Sequence, residues 1–116
     1  MAIMTFRGDL DPQETLDQIK VLFPSTGISV QLVDEAHRSM NNAVVHLLVF
    51  EKYFMRVKNY VSLSLMILGV EGMTEVVAVG SGAGNDVIFS FDWGSEEDIV
   101  HSFSKIIEKL GFSRIA

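Results

Sequence analysis

From Ile28 to Trp93 the chain passes through five stretches of strand-type alternation with only short polar breaks between them, and one capped helical stretch stands on either side. Strands joined by short loops pair antiparallel, whereas parallel strands need a crossover of a dozen or more residues. The order β-α-β-β-β-β-β-α therefore predicts a single α+β domain spanning residues 1–116, an antiparallel meander of about six strands with two helices packed on one face. A chain of 116 residues is long enough to bury a core without covalent staples.

The first strand is expected over Ile3–Arg7. Asp11 then stands as a helix N-cap, with Pro12 at the first helical position and Glu14 three residues after the cap, a doubly signalled start. Leu16, Ile19, Leu22 and Phe23 supply the apolar stripe, and Pro24 stops the helix. Strand two is expected over Ile28–Val33, followed by a polar turn from Asp34 to Asn42. Strands three to six are expected over Ala43–Glu51, Tyr60–Leu68, Thr74–Val79 and Val87–Trp93. The last helix is capped by Ser95, presents Ile99, Val100, Phe103, Ile106, Ile107 and Leu110, and ends at Gly111, with Phe112 placed to fold back on Ile107.

Side chains alternate with period two, so equal parity in every strand would assemble one apolar face. Val45, Leu47, Val49, Val61, Leu63, Leu65, Ile67, Val77, Val79 and Val87, Phe89, Phe91, Trp93 form the expected helix-covered face. The opposite face would carry His46, Leu48, Phe50, Ser62, Ser64, Met66, Leu68, Ile88 and Ser90. That mixture is too greasy for open water and too polar for a sealed core, as befits self-association or a pocket lining.

Composition narrows the function. Nine Lys+Arg stand against fifteen Asp+Glu, for a net charge of −6, the wrong sign for a domain that neutralises phosphates along a duplex; nucleic acid is not an expected partner. No cysteine is present, which removes thiol nucleophiles and Cys-type zinc sites and suits a cytoplasmic setting. The longest apolar runs, Ala43–Phe50 and Val61–Val70, are broken by His46, Ser62 and Ser64 and fall short of a bilayer's ~18–20 residues, so no membrane association is expected. The opening Met1–Asp9 does not read as a secretory signal. Because 48% of the residues are hydrophobic, the surplus points to a sheet covered on both faces.

Phe50-Glu51-Lys52-Tyr53, Asn59-Tyr60-Val61-Ser62-Leu63, the Gly80-Ser81-Gly82 turn and Trp93-Gly94-Ser95-Glu96-Glu97 together resemble a family of small bacterial proteins classed as a domain of unknown function. The resemblance spans most of the chain. It implies a bacterial cytoplasmic protein and brings no catalytic residues with it.

Gly80, Gly82 and Gly84 are followed by a strand, not by a helix or by Gly-Lys-Ser/Thr, so a flexible hairpin turn is expected instead of a phosphate loop. In a meander this turn and Lys52–Asn59 fall at one end of the sheet, which places Arg56 and Lys58 near the amides of Gly82, Gly84 and Asn85, a candidate anion site. Both helices are expected to point their N-termini at the other end. His37, His46 and His101 show no metal-ligand spacing and are expected to lie apart, so neither a metal nor a cofactor is expected. No nucleophile elbow or paired-carboxylate arrangement is present. The expected function is a non-enzymatic binding domain that self-associates as a homodimer through the outer sheet face. The alternative is a helix-grip protein holding an apolar or anionic small molecule between the sheet and the last helix.

Overall fold

The computed structural model describes residues 2–26, 30–55, 58–82 and 95–116, with side chains of the last segment from residue 97. The elements are β1 (Ala2–Gly8), α1 (Pro12–Leu22), a 3₁₀ turn (Pro24–Thr26), β2 (Gln31–Met40), β3 (Ala43–Phe54), β4 (Asn59–Val70), β5 (Met73–Gly82), α2 (Ser95–Lys109) and β6 (Ser113–Arg114). All six strands join one antiparallel sheet in the order β2-β3-β4-β5-β1-β6. The α+β class and the meander are as expected. The element order differs, because a two-residue strand follows α2; the strand expected over Val87–Trp93 lies outside the described residues. Among the described residues no helix is long and apolar enough to cross a membrane.

Both helix boundaries follow from capping chemistry. Asp11 Oδ2 accepts from the N–H groups of Gln13 and Glu14 at 3.0 and 3.2 Å, satisfying two donors that the first turn leaves over. At the far end of α2, Gly111 takes φ +94°, its N–H donates to Glu108 O at 3.0 Å, and Phe112 N–H donates to Ile107 O at 3.2 Å. These two bonds are a Schellman motif. They turn Phe112 back over β1, where a Cβ on Gly8 would come within 2.8 Å of its ring.

The largest departure is β2. Residues 34–40, expected as a turn, are strand, and only Asn41 and Asn42 reverse the chain: Met40 pairs with Ala43, and Asn41 takes φ +51°. Polar residues at 34–39 hid this strand because it forms an edge of the sheet, where side chains meet water on both faces. β5 likewise continues through Gly80, Ser81 and Gly82, which pair with Leu63, Ser62 and Val61.

The equal-parity expectation fails in β3 and β5. Two-residue turns at Asn41-Asn42 and Glu71-Gly72, and the even number of residues between the paired Phe54 and Asn59, set odd residues opposite even ones, as in Leu48 with Leu65 and Leu65 with Ala78. The helix-covered face is thus His46, Leu48 and Phe50, then Val61, Leu63, Leu65 and Ile67, then Thr74, Val76 and Ala78, all buried. Val45, Leu47, Val49, Val77 and Val79 point the other way.

Against this face α1 lays Thr15, Leu16 and Ile19, and α2 lays Ile99, Val100, Phe103, Ile106 and Ile107. Phe6, Phe103, Phe23 and Phe50 meet edge to face in series, at centroid separations of 6.1, 5.8 and 5.0 Å, the arrangement the ring quadrupole favours. The start of α1 is fastened to the sheet: Thr74 Oγ1 donates to Leu10 O at 2.7 Å, and a Cβ on Gly69 would stand 2.4 Å from Pro12 Cγ. Gly69→Ala therefore forces the helix off β4 and is expected to lower the unfolding free energy by about 1–3 kcal/mol. The urea midpoint measures this, with Met73→Ala, at an exposed neighbouring position, expected to change it by less than about 0.5 kcal/mol.

Candidate functional site

The sheet face away from the helices is built in cross-strand rows. One row reads Ala36, Leu47, Met66, Val77, Thr5; the next reads Asp34, Val49, Ser64, Val79, Ile3; a third reads Arg38, Val45, Leu68, Glu75, Arg7. Its centre is aliphatic, and charge stands at its margins, where Arg7 Nε donates to Glu75 Oε2 at 2.9 Å. Leu47 is 41% exposed, Met66 40% and Ile3 60%. Leu68, Val70, Met73 and Glu75 line a groove of about 310 Å³ on this side. A contiguous apolar area of this kind on a sheet is the surface type that partners cover.

On the helix side a polar string enters the core from the β2 edge. Lys20 Nζ donates to both Glu35 carboxylate oxygens at 3.0 Å, His37 Nε2 lies 3.0 Å from Glu35 Oε1, and His37 Nδ1 lies 2.8 Å from Nδ1 of its cross-strand partner His46. Only the carboxylate can accept in the His37–Glu35 bond, so His37 Nε2 carries a proton. When His37 is neutral its Nδ1 accepts from His46 Nδ1–H. Nε2 of His46 is then a bare lone pair, buried and without a partner among the described residues.

The energetics follow from burial. His46 is 6% exposed, and desolvation, reinforced by the charge on His37, pushes its pKa below the ordinary 6.5 against the opposing pull of Asp17, Asp11 and Glu35. Glu35 is held below the ordinary carboxylate range, chiefly by the hydrogen bond from Lys20. Among the described residues no group of three or more His, Asp or Glu side chains converges on a metal-sized point. The string ends in packed hydrocarbon.

The expected site residues divide. Ser62, Ser64, Met66 and Leu68 lie on the open face as expected, and Ser62 Oγ and Ser81 Oγ are 3.0 Å apart there. His46, Leu48 and Phe50 do not: the odd-to-even pairing turns them under the helices. Ile88 and Ser90 lie outside the described residues, as do Arg56, Gly84 and Asn85 of the candidate anion site. Lys58, at φ +53°, and Gly82, at φ +103°, are at the same end of the sheet as expected. One premise of that site is corrected. α1 starts at the opposite end, but α2 terminates beside Gly8 and so runs antiparallel to α1, which brings Glu97 and Asp98 in its first turn to the glycine end. His37 and His46, expected apart, are in contact. The signal for that contact is the Asn41-Asn42 turn: a hairpin closed there pairs residues whose numbers sum to 83.

A family model described as a family of unknown function (DUF6054) matches residues 1–111. A search of curated proteins finds no match.

His46 sets a pH dependence. Unfolded His46 takes up a proton near its ordinary pKa, while the folded form resists it, so this group favours the folded state above about 6.5 and the advantage is lost as pH falls toward the lowered value. Urea midpoints are expected to fall between pH 7.5 and pH 5, and His46→Leu to flatten that fall. A parallel decline in the variant would assign the titration elsewhere; Glu35 is separable, since its contribution is lost only below its ordinary 4.5.

Proposed function

We propose that this chain, which belongs to the DUF6054 family of unknown function, is a non-enzymatic interaction domain that binds a second copy of itself through the open face of the sheet. The observation that carries this reading is the row Leu47, Met66, Val77 with its neighbours Val45, Leu68, Val49, Val79 and Ile3. A two-layer protein normally gives its solvent-facing strand positions polar residues; here they are mostly aliphatic.

The size of the face supports a copy of the same chain as occupant. Five strands at about 4.8 Å spacing and about eight residues at about 3.3 Å rise give roughly 600 Å² in projection. Side-chain relief brings this near the ~800 Å² per partner that stable interfaces bury. A sheet that stacks on its own twin meets a surface of identical spacing and twist, and ion-paired margins such as Arg7–Glu75 keep charge out of the centre. The aromatic series from Phe6 to Phe50 fills space that a helix-grip cavity would need, which favours association over small-molecule binding. The bacterial cytoplasmic setting we propose rests on the cysteine-free sequence and on the family resemblance.

Leu47→Glu combined with Met66→Glu is expected to weaken self-association by tenfold or more, since each change sets a charge where about 1–3 kcal/mol of apolar burial stood. Sedimentation equilibrium over a concentration series measures it. A parent chain that stays monomeric to about millimolar concentration, or a variant that associates as tightly as the parent, overturns the reading.

A further inference from the structure

Among the described residues β2 is one margin of the sheet, and an edge strand turns alternate N–H and C=O groups toward solvent. Two of these are covered by the strand's own side chains. Asp34 Oδ1 accepts from Glu35 N–H at 2.9 Å, and Arg38 Nη1 donates to His37 O at 3.3 Å. Glu35 and His37 are thus residues whose main chain looks away from β3. Between them is Ala36, exposed and small.

The strand is also self-complementary in charge about that alanine. Asp34 and Glu35 precede it; His37 and Arg38 follow it. We propose that β2 pairs antiparallel with β2 of a second copy across a two-fold axis at Ala36, joining two six-stranded sheets into one. Asp34 then faces the second copy's Arg38, and Glu35 faces the second copy's His37. The outward N–H of Glu35 meets the C=O of the second copy's His37, taking over from the two intrastrand caps. The Asp34 carboxylate and Arg38 guanidinium so released lie opposite each other on one face, where opposite charges stabilise the pair.

Charge selects this register. The outward-facing residues repeat every second position, so the neighbouring two-fold arrangements centre on Glu35 or on His37. The first sets two carboxylates against each other and the second two imidazoles, and like groups directly opposite are unfavourable. The register shift between Leu32 and Asp34 ends the regular edge on one side, so the pairing window is residues 34–40. Ala36 on the axis lets the strands approach without a clash. This contact uses the margin of the sheet and is independent of the open-face association proposed above.

The test uses the absence of native cysteine. Opposite residues of a non-hydrogen-bonded antiparallel pair stand about 4.5 Å apart at Cα, within disulfide range, so Ala36→Cys is expected to cross-link into a dimer under mild oxidation. Ser39→Cys, exposed on the same strand, is expected not to, because in this register it faces residue 33. Arg38→Asp is expected to slow the Ala36→Cys cross-link about tenfold, and adding Asp34→Arg to restore it. All are repeated with Leu47→Glu and Met66→Glu in place, where the edge cross-link persists if the two contacts are separate. Equal cross-linking at 36 and 39, none at 36, no rescue by the charge exchange, or loss of the cross-link with the open-face substitutions alone would each overturn the proposal.

Discussion

From Asp34 in β2 to Gly82 in β5, the side chains of this sheet take their side from the lengths of three short connections. A loop with an even number of residues joins strands so that opposite positions have odd-numbered sums, and Asn41-Asn42, residues 55–58 and Glu71-Gly72 are all of this kind. The buried positions accordingly switch from even in β3 to odd in β4 and back to even in β5. Slipping one turn by a single residue would carry Leu48 and Phe50 into water and Leu47 and Val49 under the helices. Glu71 holds φ +48° and Gly72 +81°, the left-handed pair that a two-residue hairpin wants. Register here is fixed by the local geometry of the connections.

Among the described residues the register creates a sheet with two apolar faces and one layer of helices. The helix-covered face is closed by four phenylalanines in edge contact and by the fastening of α1 at Thr74 and Gly69. The same interior admits the imidazole of His46, which the register places opposite His37 and not among the aliphatics of the open side. A buried nitrogen without a partner costs about 1–3 kcal/mol. The string through His37 and Glu35 to Lys20 offsets part of that by satisfying the other ring nitrogen and tying the edge strand to α1.

Much of this was legible from residues alone. Asp11-Pro12 and Gly111-Phe112 announced the start of α1 and the end of α2 because caps are local chemistry, readable without knowing what the helix packs on. β4 was legible because Val61, Leu63, Leu65 and Ile67 are central and apolar on the buried side. β2 was not: its sequence from Asp34 to Met40 carries the polarity of a loop, since an edge strand is held by backbone pairing that leaves no hydrophobic pattern. Equal parity across strands went wrong for a related reason, because it assumed turns of odd length when Asn41-Asn42 and Glu71-Gly72 are two residues long. The histidine contact fell with the turn, and the open face inherited Val45, Leu47 and Val49 in place of His46, Leu48 and Phe50.

The two proposed contacts, at the face and at the edge, are geometrically compatible. A two-fold axis at Ala36 runs normal to the sheet, so the open faces of two edge-paired copies lie on the same side and merge into one surface twice as wide. A two-fold that stacks one open face on another lies parallel to the sheet. Where these two-folds intersect at right angles they close into a four-copy assembly of D2 symmetry, in which no open face and no β2 edge remains exposed. Among the described residues the remaining margin is β6, two residues long, with the stretch of β1 from Ala2 to Met4 that β6 and the C-terminus leave uncovered, and so short an edge offers little backbone for further pairing. An assembly with both proposed contacts on intersecting axes would terminate itself instead of growing into a fibre, and an aliphatic sheet face and a ten-residue edge strand would then be covered without templating aggregation.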